Sequence, residues 1–319
     1  MLETINLKDR TLDWLGRKQY RSKGRGTLWP SEASVKYTDE FGEEKVAGKC
    51  HRAVYYRQSD VAPTNPPDAR SQIIFLLGHQ VEAAICEAWK QMGIWENNSV
   101  RWEDRERNLS GEFDIVLREP DPETGEPMLY GAEIKSFYGY YANKQLLGHW
   151  SGRGKNKFYT AGKPKDEHLM QAALYVDHTH GKLHGFKLLY LSRDQMDMAE
   201  FNITVDRETK EIFINGEKET RYTLADVYSR YAECNTLLRS DLKPQREFVY
   251  LPSSERVEVL HARGEVSASA YKDHMSGKKP VTDFHCSYCD YRDHCLNVDT
   301  GAEPEVVEET PEMHMHGSL

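Results

Sequence analysis

Two stretches of the chain decide the fold: Gly-Glu-Phe-Asp-Ile-Val-Leu at residues 111–117 and Leu-Tyr-Gly-Ala-Glu-Ile-Lys-Ser-Phe at residues 129–137. The first stretch alternates between apolar and other residues, which is typical of a β-strand. The side chains predicted to face one way are Phe113, Ile115 and Leu117, with Asp114 and Val116 facing the other. The intervening residues 119–127 are rich in proline, glycine and acids, which favour turns. Together the two stretches predict a β-hairpin.

Apolar periodicity predicts the elements around this hairpin. Apolar residues recur at helical spacing in residues 72–93, and Gly93 is expected to end that helix. Further along the chain, Asp166 is predicted to cap the start of a second helix. The remaining predicted elements are a helix at 166–178, a buried strand at 184–192, a hairpin at 201–214, a helix at 223–239 and a partly helical region at 252–275. This order predicts an α/β fold with a central mixed sheet flanked by helices.

The size and composition of the chain exclude several classes of protein. The 319 residues, of which 39% are hydrophobic and 11% aromatic, are enough to bury a core and argue against overall disorder. No apolar run approaches the ~20 residues of a membrane-spanning helix, so no membrane partner is expected. The first residues show no secretory signal, and we therefore expect a cytoplasmic protein, either of a bacterium or archaeon or of a virus in its host.

The distribution of charge matters more than its sum. A formal net charge of −9 argues by itself against a nucleic-acid partner. However, residues 299–312 hold six acids and no base, and residues 299–319 are predicted to be a disordered acidic tail. Residues 138–165 hold six bases, no acid and several aromatic residues, a composition that suits a nucleic-acid backbone and its bases. A solvated loop has the same composition, and both interpretations stay open.

Glu133 and Lys135 lie two residues apart on a predicted strand and therefore share one of its faces. Asp114 lies within the neighbouring predicted strand, where a lone acid is costly to bury unless it is paired or binds a cation. Carboxylates from two adjacent strands could bind a hard divalent cation, which would activate water and stabilise charge on a phosphate. A Glu-x-Lys sequence alone is weak support, because any amphipathic strand can produce one.

The order of the motifs resembles a known family. His79, the Gly-Glu-Phe-Asp sequence ending at Asp114, Glu133-Ile-Lys135 and the pair Gln171 and Tyr175 follow one another as in the RecB-type nuclease domain of the PD-(D/E)XK superfamily. The resemblance covers roughly residues 50–190. It implies a PD-(D/E)XK core, similar to that of restriction endonucleases.

The same resemblance implies roles for these residues. The ligands that it implies for Mg²⁺ or Mn²⁺ are His79, Asp114, Glu133 and the backbone carbonyl of Ile134. Lys135 would position or deprotonate the attacking water, while Gln171 and Tyr175 would support the site and contact nucleic acid. Two alternatives stay open: His79 could instead bond to the backbone near the start of its helix, and Glu82 on nearly the same helix face could replace it as a ligand.

The six cysteines divide into two groups. Three of them form a C-x₂-C-x₅-C motif, namely Cys286, Cys289 and Cys295. Without a secretory signal a metal centre is favoured over disulfides, and Cys50 is the best fourth ligand because Cys86 and Cys234 fall on apolar helix stripes. One distant cysteine and a triplet fit an iron–sulfur cluster better than zinc. Zinc stays open, with His51, His285 and His294 as further ligands.

The cysteine pattern extends the resemblance. Cys50-His-Arg-Ala-Val-Tyr-Tyr56 is similar to the Cys-Pro-Arg-x-x-Tyr-Tyr sequence of RecB-type exonucleases that carry a cluster, among them the CRISPR-associated Cas exonucleases of family four. The resemblance implies a structural 4Fe-4S cluster that staples an N-terminal segment to a C-terminal one. The predicted organisation is an N-terminal segment with a basic stretch at 1–49, a nuclease core at 50–240, a cluster region at 241–298 and the tail at 299–319.

The sequence and the resemblance together predict a metal-dependent DNA exonuclease that acts in recombination, repair or CRISPR-type DNA processing. The alternatives are a catalytically silent DNA-binding adaptor of the same fold and a nuclease stapled by zinc. The expected partners are DNA ends, single-stranded or duplex, and either further copies of this chain or recombination or CRISPR proteins. The candidate DNA-binding residues are Lys144, Arg153, Lys155, Lys157 and Tyr159.

Overall fold

The computed structural model describes residues 6–16, 26–121, 123–152, 154–179 and 181–298, except for a few side chains, of which that of Asp114 is one. The basic residues at 17–25, Arg153 and the predicted acidic tail at 299–319 lie outside this description. The helices are α1 (Leu7–Gly16), α2 (His51–Gln58), α3 (Ala69–Gln91), α4 (Tyr140–Leu146), α5 (Asp166–His178), α6 (Leu224–Arg239), α7 (Ser254–Ala262), α8 (Ala268–Met275), α9 (Phe284–Ser287) and α10 (Arg292–Val298). The strands are β1 (Ser34–Thr38), β2 (Glu44–Gly48), β3 (Trp95–Asp104), β4 (Leu109–Pro120), β5 (Pro127–Phe137), β6 (His149–Ser151), β7 (Phe158–Thr160), β8 (Gly185–Ser192), β9 (Met198–Val205), β10 (Ile212–Ile214) and β11 (Glu217–Lys218).

The described residues form two compact units. The first comprises residues 6–16, 26–59 and 68–247, and the second comprises residues 60–67 and 248–298. The first unit contains the central sheet. In the second unit, the amides of Thr64 and Asn65 donate to the carbonyl of Asp290, which joins the short 60–67 segment to the C-terminal region. None of the helices in the described part of the chain combines the length and the apolar composition that a membrane span requires.

A seven-stranded mixed sheet organises the first unit. Its strand order is β11-β10-β9-β8-β5-β4-β3. The pair β5 and β8 is parallel, while the other neighbours are antiparallel. Because α5 follows β5 and precedes β8, it is the crossover helix that a parallel pair needs. The prediction of a mixed α/β fold with a central mixed sheet flanked by helices is confirmed.

The two faces of the sheet bury different clusters. On one face Ala132 and Ile134 of β5 pack with Val81 and Ile85 of α3. On the other face α5 is buried along its middle, from Leu169 to Tyr175, within the main hydrophobic core. Residues that alternate along β5 therefore point toward α3 or toward α5, and this assigns Glu133 and Lys135 to the α5 side.

The ends of two predicted helices differ from the structure. The helix predicted at 72–93 begins earlier, because the carboxylate of Asp68 accepts from the amide of Ser71 and caps α3. The prediction that Asp166 caps α5 is wrong, since Lys165 occupies the cap position. The carboxylate of Asp166 instead accepts bonds from Arg221 at 2.6 Å and from the hydroxyl of Tyr222 at 2.9 Å.

The predicted alternation of β4 is wrong at Phe113. Ile115 and Leu117 pack in the cluster on the α3 side. Phe113 instead contacts Tyr175 and Phe186 on the α5 side, with ring centroids 5.2 and 5.6 Å away. Residues two apart on a regular strand share a face, so strict alternation is broken between Phe113 and Ile115. Asp114, whose side chain is outside the description, is the residue between them.

The close packing of β5 against β8 predicts that a substitution of Gly131 destabilises the fold. In Gly131→Ala the new methyl group would overlap the ring of the fully buried Phe186. We expect the free energy of unfolding to fall by about 1–3 kcal/mol, the usual cost of overpacking. Chemical denaturation followed by circular dichroism measures this change.

Gly78→Ala is the matched control. A methyl group at this position in α3 would meet only the hydroxyl of Ser136, at 3.7 Å. Because alanine favours a helix interior over glycine, we expect the free energy of unfolding to stay equal or to rise by up to about 1 kcal/mol. Equal effects of the two substitutions would contradict the packing described for Gly131.

Candidate active site

The two central strands separate where the candidate site begins. The hydrogen-bonded register of β4 and β5 runs from Pro120 opposite Pro127 to Ile115 opposite Ala132, whereas β4 continues to pair with β3 as far as Leu109. One further step of the β4–β5 register would place the backbone of Asp114 opposite that of Glu133. A cavity of about 160 Å³ opens at this point.

This cavity brings together residues from four elements. Of the residues predicted from the sequence, it is lined by Glu133, Ile134, Lys135, Gln171 and Tyr175. Its other lining residues are Glu82, Glu112, Phe113, Ile115 and Ala132. The walls therefore carry three carboxylates, one ammonium group, one amide and one phenol at the separation of β4 and β5.

A chain of hydrogen bonds fixes the α5 wall of the cavity. The Nε2 of Gln171 lies 3.5 Å from Oε1 of Glu133 and 3.0 Å from the hydroxyl of Tyr175. The Tyr175 hydroxyl donates in turn to the backbone carbonyl of Glu112 at 3.1 Å. A primary amide has two hydrogens and can serve both acceptors. Since Gln171 and Tyr175 are buried, these bonds restrict their side chains and orient the Glu133 carboxylate.

Lys135 forms an ion pair with Glu133 on the same face of β5. Both side chains are partly buried, so the lysine ammonium and the carboxylate are held at the cavity rather than extended into solvent. Burial lowers the pKa of His168 on α5 well below its usual value, and the charges of Lys135 and Lys165 lower it further. His168 is therefore neutral at physiological pH and adds no second cation beside Lys135.

The structure places His79 differently from Glu82. The imidazole of His79 is 77% exposed and lies on α3 outside the set of residues that line the cavity. Its Nδ1 atom lies 3.9 Å from Oε2 of Glu82, which is a lining residue. Residues three apart on a helix share a face, so the sequence alone could not rank the two side chains as ligands.

The sequence pattern did not single out two polar residues of this region, Glu112 and His168. Glu112 lines the cavity and its carboxylate accepts from Arg101 at 2.7 Å. His168 lies 2.7 Å from the hydroxyl of Tyr190. Glu112 belongs to the Gly-Glu-Phe-Asp sequence, but regular alternation assigned it no role. The position of His168 near the start of α5 does not by itself distinguish it from other polar residues there.

The described donors suit a cation that keeps some of its water. Glu82 and Glu133 offer carboxylates to the same cavity. Among the side chains that the structure describes, no group of three or more histidine, cysteine and acidic residues is gathered in a metal-binding arrangement. Magnesium is often held by one or two carboxylates and several waters, whereas structural zinc requires four protein ligands. The carboxylate oxygens of Glu82 and Glu133 are ligands of the kind that a hard divalent cation such as Mg²⁺ or Mn²⁺ prefers.

The C-terminal cysteines lie in two short helices of the second unit and in the segment between them. Cys286 is in α9, Cys289 follows that helix and Cys295 is in α10. All three are partly buried, and the amide of Tyr291 donates to Sγ of Cys289 at 3.4 Å. Amide donors of this kind also stabilise cluster-bound thiolates.

The other cysteines lie in the first unit. Cys50 is partly buried and precedes α2. Cys86 packs against the apolar residues on the α3 side of the sheet. Cys234 is buried, with only 3% of its surface exposed. Burial raises the pKa of the Cys234 thiol to about 12, so this residue stays a neutral thiol. The prediction that Cys86 and Cys234 pack as small apolar residues is confirmed.

Residues 138–165, which we call the basic insertion, are folded. The segment is not a loop throughout, because it contains α4 and an antiparallel hairpin of β6 and β7. The carboxylate of Asp194 anchors it by accepting from the side chain of buried Asn143 at 3.0 and 3.1 Å, from the hydroxyl of Ser192 at 2.8 Å and from the amide of Gly139 at 3.1 Å. The elements are so short that no periodicity revealed them.

The predicted DNA-binding residues all belong to this insertion. Lys144 is at the end of α4 and is partly buried, whereas Lys155, Lys157 and Tyr159 are exposed. Arg153 lies outside the described residues. The insertion follows β5, which carries Lys135, and leads into α5, which carries Gln171. In the chain, the lysines and arginine of this insertion therefore lie between two elements that line the cavity, β5 and α5.

Comparison with known proteins identifies no family. No protein-family model matches the sequence, and no curated protein matches it. Among solved structures, the crystal structure of SSO0001 has 14% sequence identity and a TM-score of 0.37, over 94% of this chain and 97% of that chain. A likeness with this TM-score carries no argument about fold or function.

The anchor of the basic insertion gives a prediction for Asp194→Ala. Removal of the carboxylate leaves Asn143, Ser192 and Gly139 without their common acceptor, so we expect faster hydrogen exchange across residues 138–165. Asp206→Ala is the matched control, because Asp206 accepts amide bonds in the turn between β9 and β10 instead. Equal protection of the insertion in wild type and Asp194→Ala would contradict the anchor.

The same anchor has a defined pH dependence. Hydrogen bonds from Asn143 and Ser192 lower the pKa of Asp194 to about 2, below its ordinary value of 3.8. A carboxyl group with a lowered pKa stabilises the folded state above its ordinary pKa, and this effect is lost as the pH falls through the folded value. Protection of the insertion should therefore persist at about pH 3 and decrease toward pH 2, which hydrogen exchange followed directly by NMR and normalised to the intrinsic rate at each pH can measure.

Proposed function

We propose that this protein is a metal-dependent DNA exonuclease with a RecB-type PD-(D/E)XK core. One observation carries the proposal: Glu133 and Lys135 of β5 line a single polar cavity together with Gln171 and Tyr175 of α5. In the sequence these residues were linked only by the order of their motifs along the chain. Their convergence beside the separation of two sheet strands supports a hydrolytic site.

The residues of the cavity would have distinct roles. Glu133 would bind the cation together with Asp114 and the Ile134 carbonyl, and Glu82 or His79 would be the ligand from α3. Lys135 would position or deprotonate the attacking water from its place beside Glu133. Gln171 and Tyr175 would keep the Glu133 carboxylate in one orientation and contact the nucleic acid. When bound, Mg²⁺ or Mn²⁺ lowers the pKa of water and neutralises charge that develops on the phosphate.

We also propose that a 4Fe-4S cluster is bound by Cys50, Cys286, Cys289 and Cys295. The spacing in the sequence supports this ligand set, together with the partial burial of all four residues. The role of such a cluster is structural. The natural task of the enzyme would be the processing of DNA ends in recombination, repair or CRISPR-type reactions, with further copies of the chain or other proteins of those reactions as partners.

The nuclease proposal predicts a specific loss of activity. Wild-type protein with Mg²⁺ or Mn²⁺ should degrade linear DNA and leave closed circular DNA intact. Glu133→Gln and Lys135→Ala should each slow degradation by about 10²-fold or more, the usual contribution of such a group. The measurement is release of nucleotides from end-labelled DNA over time.

Glu200→Gln is the matched control for these variants. Glu200 also forms an ion pair with a lysine, Lys187, at 3.1 Å on neighbouring strands of the same sheet. We expect this variant to retain wild-type activity. Unchanged cleavage by both Glu133→Gln and Lys135→Ala would exclude this site as catalytic. DNA binding without any metal-dependent cleavage would instead favour a silent adaptor of the same fold.

The cluster proposal predicts iron in the purified protein. After anaerobic purification we expect about four irons and four sulfides per chain and a brown colour. Cys289→Ser should lose most of the iron. Cys86→Ala should retain it, because Cys86 packs against apolar residues between α3 and the sheet and is not a proposed ligand. A colourless protein that contains zinc and no iron would reject the cluster in favour of a zinc staple.

A further inference from the structure

The hairpin of the basic insertion presents a pair of aromatic rings to solvent. Trp150 of β6 lies directly opposite Tyr159 of β7 in the strand register. Their ring centroids are 5.4 Å apart with an angle of 50° between the planes. Trp150 is 69% exposed and Tyr159 is 51% exposed. Both rings therefore offer much of their surface to a ligand.

Local bonds hold this pair in place. The hydroxyl of Tyr159 donates to the backbone carbonyl of Leu147 at 2.8 Å. The Tyr159 side chain also lies against the backbone of Gly148, where a methyl group would overlap the tyrosine hydroxyl. Gly148 has a φ of +77°. Glycine is thus required for both the backbone conformation and the close approach. The amide of Lys163 donates to the carbonyl of Gln145 at 2.8 Å and closes the base of the hairpin.

The surroundings of the pair favour a ligand with both aromatic faces and negative charge. Exposed aromatic rings that are adjacent to one another are typical of interaction sites rather than of ordinary surface. The insertion has six bases and no acid, in a chain whose net charge is −9. Lys155 and Lys157 are exposed on the segment that joins the two strands. Single-stranded nucleic acid provides bases that stack on rings and phosphates that attract lysines.

We infer that Trp150 and Tyr159 form a stacking platform for unpaired nucleobases. This inference rests on the proposed function and deepens it, because it commits the enzyme to a DNA end that is single-stranded at the platform. Base faces inside a duplex are covered by neighbouring base pairs and cannot stack on side chains. The platform therefore selects strands with exposed bases, while the lysines bind the backbone of any strand.

The position of the insertion connects the platform to the cavity. The insertion starts immediately after β5, which carries Glu133 and Lys135, and it ends at the start of α5. A base held by the platform fixes one nucleotide of the strand relative to these two elements. Stacking then contributes to binding of the DNA and not to the chemical step itself, so loss of a ring should raise KM more than it lowers kcat.

The test combines a change in the protein with a change in the DNA. The full-length protein is titrated, in EDTA to prevent cleavage, into a fluorescent single-stranded oligothymidylate and into an otherwise identical strand with abasic residues. We expect Trp150→Ala to weaken binding of the intact strand about tenfold, within the range known for base stacking on an aromatic side chain. Binding of the abasic strand should not change. Trp150→Phe, which retains a ring, should recover most of the affinity.

The control variant is Phe41→Ala, which removes another exposed aromatic side chain from the turn between β1 and β2. It should bind both strands like wild type. Equal weakening of both strands by Trp150→Ala, or no weakening of either, would overturn the stacking platform. Tighter binding of a blunt duplex than of the single strand would overturn it as well, and capture of a protein partner that depends on Trp150, without strand binding, would assign the rings to a protein interface.

The outcomes separate this inference from the nuclease proposal. Glu133-dependent cleavage together with unchanged binding in Trp150→Ala would refute the platform and leave the nuclease proposal intact. Base-dependent strand binding through Trp150, without cleavage by any metal-loaded sample, would support the platform and refute the nuclease proposal.

Discussion

The candidate site depends on the separation of β4 and β5 beyond the pair of Ile115 and Ala132. If β5 stayed paired with both β4 and β8 along its whole length, no opening would form in this part of the sheet. The polar side chains of β5 would then face only the packed core. Separation instead opens a small polar cavity between α3 and α5. The change of face between Phe113 and Ile115 occurs at the same place, so one local irregularity both breaks the alternation and makes room for the site.

A polar site within a hydrophobic core requires satisfied hydrogen bonds, because an unpartnered buried group is costly. The structure meets this requirement with the bonds from Gln171 to Glu133 and Tyr175, and from Tyr175 to the Glu112 carbonyl. Packing supplies the rigidity. Buried apolar residues surround Gln171 on α5, and the ring of Phe186 covers Gly131, two residues before Glu133. The geometry of the cavity therefore follows from the packing of α5 against the sheet.

Strong periodicity made much of this arrangement predictable from the sequence. The hairpin of β4 and β5, the limits of α5 and the mixed sheet were all predicted, because each has a long regular pattern. The polar edge strand β3 and the short elements of the basic insertion have no such pattern and were missed. The face of Phe113 was predicted wrongly because alternation assumes a regular strand. Position on a helix could not rank His79 against Glu82, since exposure is decided by tertiary packing.

We propose that the cavity at Glu133 binds a divalent cation. The most direct measurement is a crystal structure of the protein grown with Mn²⁺ and recorded with anomalous diffraction. We expect an anomalous peak within about 2.0–2.5 Å of a Glu133 carboxylate oxygen, with Asp114 or Glu82 as a further ligand. A manganese peak elsewhere in the first unit, with Glu133 still paired to Lys135 and no metal beside it, would contradict the account.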